Sequence, residues 1–292
     1  MSLRSHRTTL PFFAIAIGAL ALAFLLDDAA VARASEDLPV YLRDRGTGVS
    51  TSLVGTYVRG GELLVYPFYE YTVNKDQEYK PAELGYGVEH DYTAKRTDHE
   101  ALLFLAYGIT KDIGFEFESA LWTTSTQHKA PADTSALPSR LIESGFGDTQ
   151  AEIRWRLVME TQNRPELFTY FEAVFPFQKD RVLIGTQEWE LVPGLGLIKG
   201  FAWGTLTGRI SASYLPGDGT FELGEMDVEY LKRTSEKWRW ALSVEGEQDE
   251  WAATPEIQWH FKPNAFAKLN DGIGLTAKAP DHAPEVGVVF SF

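Results

Sequence analysis

From about Glu62 to the last residue, apolar and polar side chains alternate at every second position, in one segment after another. Over 148–159, Ala151, Ile153, Trp155 and Leu157 fall on one side, and Gln150, Glu152, Arg154 and Arg156 on the other. A helix would mix these two sets, whereas a strand, with a period of two, separates them. In the same way Trp238, Trp240, Leu242 and Val244 oppose Arg239, Ser243, Glu245 and Glu247. Ile257, Trp259 and Phe261 oppose Glu256, Gln258, His260 and Lys262, and Met226, Val228 and Tyr230 oppose Glu225, Asp227 and Glu229. The pattern predicts twelve strands, over 62–73, 99–109, 113–124, 146–159, 166–177, 189–200, 204–215, 221–233, 236–248, 251–262, 265–277 and 284–292. The first two, the fifth and the sixth carry apolar residues on both faces. Connections 74–98, 125–145 and 178–188 are long and rich in Pro, Gly and charge, while 110–112, 216–219 and 262–264 are short.

Two architectures bury such strands: a soluble sandwich with its apolar faces inside, and a membrane barrel with its apolar faces outside. Strands of nine to fourteen residues exceed the ~6 usual in sandwiches and meet the ~9–11 that a tilted spanning strand needs. Aromatic residues gather near strand ends: Tyr230, Trp238, Trp240, Trp259, Phe261, Phe290 and Phe292 toward one rim, Trp122, Phe175, Phe177, Tyr214 and Trp251 toward the other. Segment 286–292 is an alternating strand with nothing after it. The expectation is an all-β fold, an antiparallel transmembrane β-barrel of the outer-membrane type with about twelve strands and both termini periplasmic, its outer face against outer-membrane lipid.

The chain has 292 residues. Arg4, His6 and Arg7 precede an apolar run of 16 residues over 11–26, ended by Asp27 and Asp28. That run is shorter than the ~20 residues of a spanning helix. Ala32-Arg33-Ala34 is a small-x-small cleavage site, so 1–34 reads as a cleaved signal peptide, 35–61 as an N-terminal periplasmic lead-in and 62–292 as the barrel. A net charge of −14 argues against a nucleic-acid partner, and the absence of cysteine removes disulfides, thiol chemistry and cysteine metal sites.

The alternating C-terminal strand closed by Phe292 resembles the signal of outer-membrane barrels that the insertion machinery reads. Gly145-Phe146-Gly147-Asp148, followed by Ile153-Arg154-Trp155-Arg156-Leu157, resembles the Gly-x-Gly-Asp motif and basic strand of the family named for the MetA pathway of phenol degradation. Trp155 stands where that family more often has Tyr. The resemblance implies an outer-membrane barrel that moves small, often apolar compounds.

Catalysis is not expected. No Gly-x-Ser-x-Gly elbow occurs, His260 is followed by Phe261-Lys262-Pro263 rather than the Ser and Asn of the outer-membrane phospholipase pattern, and the wide spacing of His90 and His99 defines no metal geometry. No cofactor and no metal are expected. The polar faces turned inward place Glu152, Arg154, Arg156, Arg209, Glu225, Asp227, Glu229, Arg239, Glu245 and Glu256 in a lumen, with a surplus of carboxylates that implies some cation preference. Arg209 and Arg239, on the strands either side of Glu225, Asp227 and Glu229, are expected to flank that ladder. Residues 66–71 and 102–107 could line a route for apolar solutes. The function expected is therefore a passive channel or uptake protein for small, apolar or aromatic solutes. The alternatives are a filled structural barrel working through its loops and, less favoured, an outer-membrane enzyme.

Overall fold

A computed structural model describes residues 38–52, 55–217 and 219–292; the expected signal segment 1–34 and its cleavage near Ala34 lie outside the described residues. The alternation is realised as one antiparallel sheet that closes on itself. Its strands are β3 (Leu63–Tyr79), β4 (Tyr92–Gly108), β5 (Ile113–His128), β6 (Arg140–Gly145), β7 (Thr149–Val158), β8 (Glu166–Val174), β9 (Glu190–Phe201), β10 (Gly204–Leu215), β11 (Thr220–Arg233), β12 (Trp238–Glu247), β13 (Glu250–Lys262), β14 (Ala265–Gly274) and β15 (Ala283–Ser291). β6 pairs with the upper half of β5 and β7 with its lower half. They are two halves of one wall strand, so the barrel has twelve. β15 on β3 closes it, and Leu63 and Phe292 exchange backbone hydrogen bonds of 3.1 and 2.9 Å.

The two faces are inverted relative to a soluble fold. Ile153, Trp155 and Val228 are 48%, 54% and 60% exposed, whereas Glu152, Arg154, Asp227 and Glu256 are buried. An apolar outer wall of this extent belongs in lipid. Aromatic rings band both rims. Trp203 stacks on Phe201 at 4.8 Å and on Tyr230 at 5.7 Å at the short-turn end. Phe175 meets Phe177 at 5.6 Å and Trp189 at 5.3 Å at the long-loop end.

Two features depart from expectation. First, β3 to β6 run on as paired strands through much of 74–98 and 125–145, leaving loops of 80–91 and 129–139. These extensions lack an apolar face because they stand beyond the aromatic band, so nothing selects for alternation there. The two loops share a small core of Tyr79, Ala130 and Leu137, with Leu84, Tyr86 and Leu141 packed against it. Second, the segment expected as a lead-in folds inside the barrel. A 3₁₀ turn (Val40–Leu42) leads into β1 (Val49–Ser50), which pairs with β2 (Tyr57–Val58) as a short hairpin. Val49 and Val58 pack on the inward side chains Leu64, Tyr66, Phe104 and Ala106, and Tyr57 packs on Phe168, Tyr170, Ile198 and Leu231. The apolar inner faces of β3, β4, β8 and β9 are the seat of this hairpin. The apolar stretches 66–71 and 102–107 therefore hold the chain's own residues there.

Gly145-Phe146-Gly147-Asp148 forms the break between β6 and β7. Gly147 N–H donates to Ala120 O, and Ala120 N–H to the Asp148 carbonyl, both at 2.8 Å. A Cβ at Gly147 would stand 2.8 Å from that of Ala120. The break lies opposite the register shift between β4 and β5 and lets the wall bend there.

Candidate functional site

The lumen is built from the inward residues of every wall strand. In its lower part, toward the short turns, the wall charges pair with one another. Arg154 Nε lies 2.7 Å from Glu152 and 3.6 Å from Glu116. Arg156 Nε lies 3.0 Å from Glu166, and Lys268 Nζ lies 2.9 Å from Glu256 and 3.6 Å from Glu285. Several of these groups also bond the N-terminal segment. Arg45 reaches Glu160 at 2.9 Å and Glu166 at 2.8 Å. Burial alone would depress its ionisation, but Glu166, Tyr57 and Glu160 outweigh that and hold the guanidinium above its ordinary value. Arg154 donates to Ser50 O at 2.9 Å, and Arg156 donates to Thr47 O at 3.2 Å and to Gly48 O. Ser52 donates its N–H to Glu116 at 2.6 Å and its hydroxyl to the same carboxylate. Gly55 N–H donates to Glu229 at 3.0 Å. The hairpin is thus specified by at least five polar contacts and two apolar faces.

Above the hairpin the lumen opens into a vestibule. A cavity of about 400 Å³ is lined by Arg209, Glu225, Glu245, Glu247, Glu250 and Trp251. Carboxylates dominate its walls. Glu285 pairs directly across from Glu70, and Glu70 across from Glu100, on three neighbouring strands. Lower down, beside the hairpin, Glu152 faces both Glu116 and Glu172. The long-loop end is narrowed by the β8–β9 connection, which turns inward: Val182 and Leu183 donate their N–H groups to Glu143 at 3.0 and 2.8 Å, and Arg96 donates to Leu183 O at 2.9 Å. Within that connection Leu183 and Ile184 are buried.

All ten expected lumen residues project inward. Arg209 meets Glu225 at 2.5 Å and Asp227 at 3.4 Å. Arg239 does not join them. Register places it opposite Arg233 and Gln258, with Ser243 opposite Glu229; one strand twist separates it from the ladder, and it has no ion-pair partner among the described residues. The sequence pattern does not single out the hairpin contributors Arg45, Ser52, Gly55 and Tyr57, nor Glu70 and Glu172. The signal that could have found the hairpin is the pair of strands with apolar inner faces, which require an apolar partner inside a polar lumen. Glycine shapes the wall too. A Cβ at Gly194 would fall within the Tyr170 ring and one at Gly196 within the Phe168 ring, so both rings lie flat on β9.

No protein-family model matches the sequence, and no curated relative does. Among solved structures, a KdgM porin in complex with disordered oligogalacturonate is similar over 78% of this chain and 99% of its own, at 9% identity and a TM-score of 0.49. The CymD monoaromatic hydrocarbon channel is similar over 80% and 89%, at 8% identity and a TM-score of 0.39. The toluene transporter TbuX of Ralstonia pickettii is similar over 80% and 88%, at 7% identity and a TM-score of 0.38.

Proposed function

We propose that this chain is a bacterial outer-membrane barrel for the passive uptake of small solutes, which pass the vestibule and leave by displacing the N-terminal hairpin. Export by segment 1–34, reading of Phe292 by the insertion machinery and periplasmic placement of both termini belong to the same proposal. The division of the lumen supports it most. Arg154, Arg156 and Lys268 are paired with wall carboxylates without the hairpin, and among the described residues β1 pairs with β2 and with no wall strand. The hairpin is therefore a separable filling of a complete barrel. The Gly145–Asp148 break keeps the resemblance to the phenol-degradation family, whose small apolar compounds are one solute class that fits.

A disulfide tests the reading. A Cβ at Gly114 would stand 3.5 Å from Val58 Cγ1, and the chain has no cysteine of its own. In proteoliposomes, Val58→Cys with Gly114→Cys should admit small neutral solutes when reduced and exclude them when oxidised. Equal flux in the two states would remove the hairpin from the path.

A second reading is a permanently filled barrel that works through its loops. The packed cap over loops 80–91 and 129–139 favours it. No flux in either redox state, with the barrel inserted, would be its signature.

A further inference from the structure

At the long-loop end the strands β4, β5 and β6 sort their charges by face. On β4, Arg96 pairs with Asp98 at 3.1 Å and reaches Leu183 O in the inward-turning connection, so Lys95, Thr97 and His99 face outward. On β5, Ser125 and Gln127 are buried, which turns Thr124, Thr126 and His128 outward. On β6, Glu143 accepts from the same inward connection, which turns Arg140, Ile142 and Ser144 outward. Register stacks these residues in rows. Tyr69 and Trp122 flank Ala101 in the lowest row, and above it come His99, Thr124 and Ser144, then Thr97, Thr126 and Ile142. The row above holds Lys95, His128 and Arg140, since Arg96 pairs with Gln127 and His128 with Arg140. Over these stretches the inward positions hold Asp98, Glu100 and Glu143, and the outward positions hold basic residues and no carboxylate, in a chain with 41 acidic and 27 basic residues. Lys95 and Arg140 are exposed, and neither they nor His128 have a side-chain partner among the described residues.

Height above the bilayer selects the occupant. Tyr69 and Trp122 belong to the aromatic band, where hydrocarbon gives way to head groups. From Trp122 to His128 the strand rises about 20 Å. At the ~35–45° tilt of such strands that is about 14–16 Å along the membrane normal. The head-group layer of an ordinary bilayer is only about 5–8 Å thick on each side. A phospholipid phosphate therefore meets the lower hydroxyl rows and stops short of the basic row, whereas a head group built of phosphorylated sugars spans both. We propose that the outward face of β4, β5 and β6 docks the phosphorylated-sugar head group of an anionic glycolipid of the outer leaflet, a lipopolysaccharide. Lys95 and Arg140, with His128 between them, take its phosphate, and Thr97, Thr124 and Thr126 hydrogen-bond the sugars beneath. The surface rests on the outer-membrane reading for its leaflet, and solute uptake plays no part in it.

The probe is deep-rough lipopolysaccharide, lipid A with its first core sugars, titrated against the folded full chain in detergent, with bound lipid counted by native mass spectrometry. Saturable binding is expected. Lys95→Gln with Arg140→Gln should weaken it by about tenfold or more, as loss of two cations facing an anionic lipid requires. Lys111→Gln with Lys237→Gln removes the same charge from exposed positions at the short-turn end and should change it less than about twofold. Phosphatidylglycerol, an anionic lipid with a short head group, should bind the unaltered chain about tenfold less tightly or weaker still. A gel shift on heating shows that each variant is folded. Equal weakening by both pairs of substitutions, or equal affinity for the two lipids, would overturn the docking surface and leave only a general attraction of basic side chains for anionic lipid. Binding is read in detergent, where neither orientation nor flux enters. Selective binding by a chain that carries no neutral solute in liposomes therefore upholds the surface and overturns uptake alone, and flux with unselective binding overturns the surface alone.

Discussion

At the scale of single residues, the wall is held by charges whose partners are fixed by register. Arg154 is 1% exposed and serves Glu152, Glu116 and the hairpin carbonyl of Ser50. Removing it leaves two buried carboxylates uncompensated, so Arg154→Ala should destabilise the folded barrel by about 3–5 kcal/mol. Denaturant titration of the barrel in detergent or lipid, followed by gel mobility, would measure that loss. Glycine positions act through shape instead. Gly194→Ala should force the Tyr170 ring off β9 and lower stability by about 1–3 kcal/mol. In a Tyr170→Ala background the same change should be nearly neutral, because the clash has gone. Additive effects would mean that the ring does not lie on Gly194.

At the scale of elements, β3, β4 and β5 are long because they serve two environments. Their lower parts alternate against lipid and hairpin, and their upper parts stand in water beyond the aromatic band. The cap over the upper parts depends on Tyr79, whose hydroxyl donates to Asp133 at 2.9 Å and accepts from Ala130 N–H at 2.8 Å. Tyr79→Phe should speed proteolytic cleavage within 129–139 while leaving the barrel heat-resistant. An unchanged cleavage rate would show that apolar packing with Leu137 alone holds the cap. The hairpin is the opposite kind of element. Its strands are two residues long and could not persist alone, so its order comes from the lumen that surrounds it.

At the scale of the whole molecule, the apolar exterior and the paired interior make insertion and orientation the properties to check. Residue 91 lies in an exposed loop at the long-loop end and residue 237 in a short turn at the other. In intact cells, a membrane-impermeant thiol reagent should label Asp91→Cys at once and Lys237→Cys only after the outer membrane is permeabilised. The reverse pattern would invert the proposed orientation. Heating the detergent-solubilised protein should slow or speed its migration on a gel, as unfolding of a closed barrel does.

The sequence by itself determined the wall. Period-two alternation places Ile153 and Trp155 outside and Glu152 and Arg154 inside, because a pleated strand admits no other arrangement. Strand number, antiparallel order and the closing role of Phe292 follow from the same local regularity, since each strand pairs with its neighbour in the chain. Tertiary structure alone decided what fills the lumen. Segment 38–61 has no long period to mark it, and its hairpin exists only because Glu116, Arg154, Arg156 and Glu229 meet its backbone from three different strands. Arg239 was misplaced for a related reason. Facing can be read from one strand, but which charges meet depends on the stagger between strands, and that is set by how the whole barrel closes.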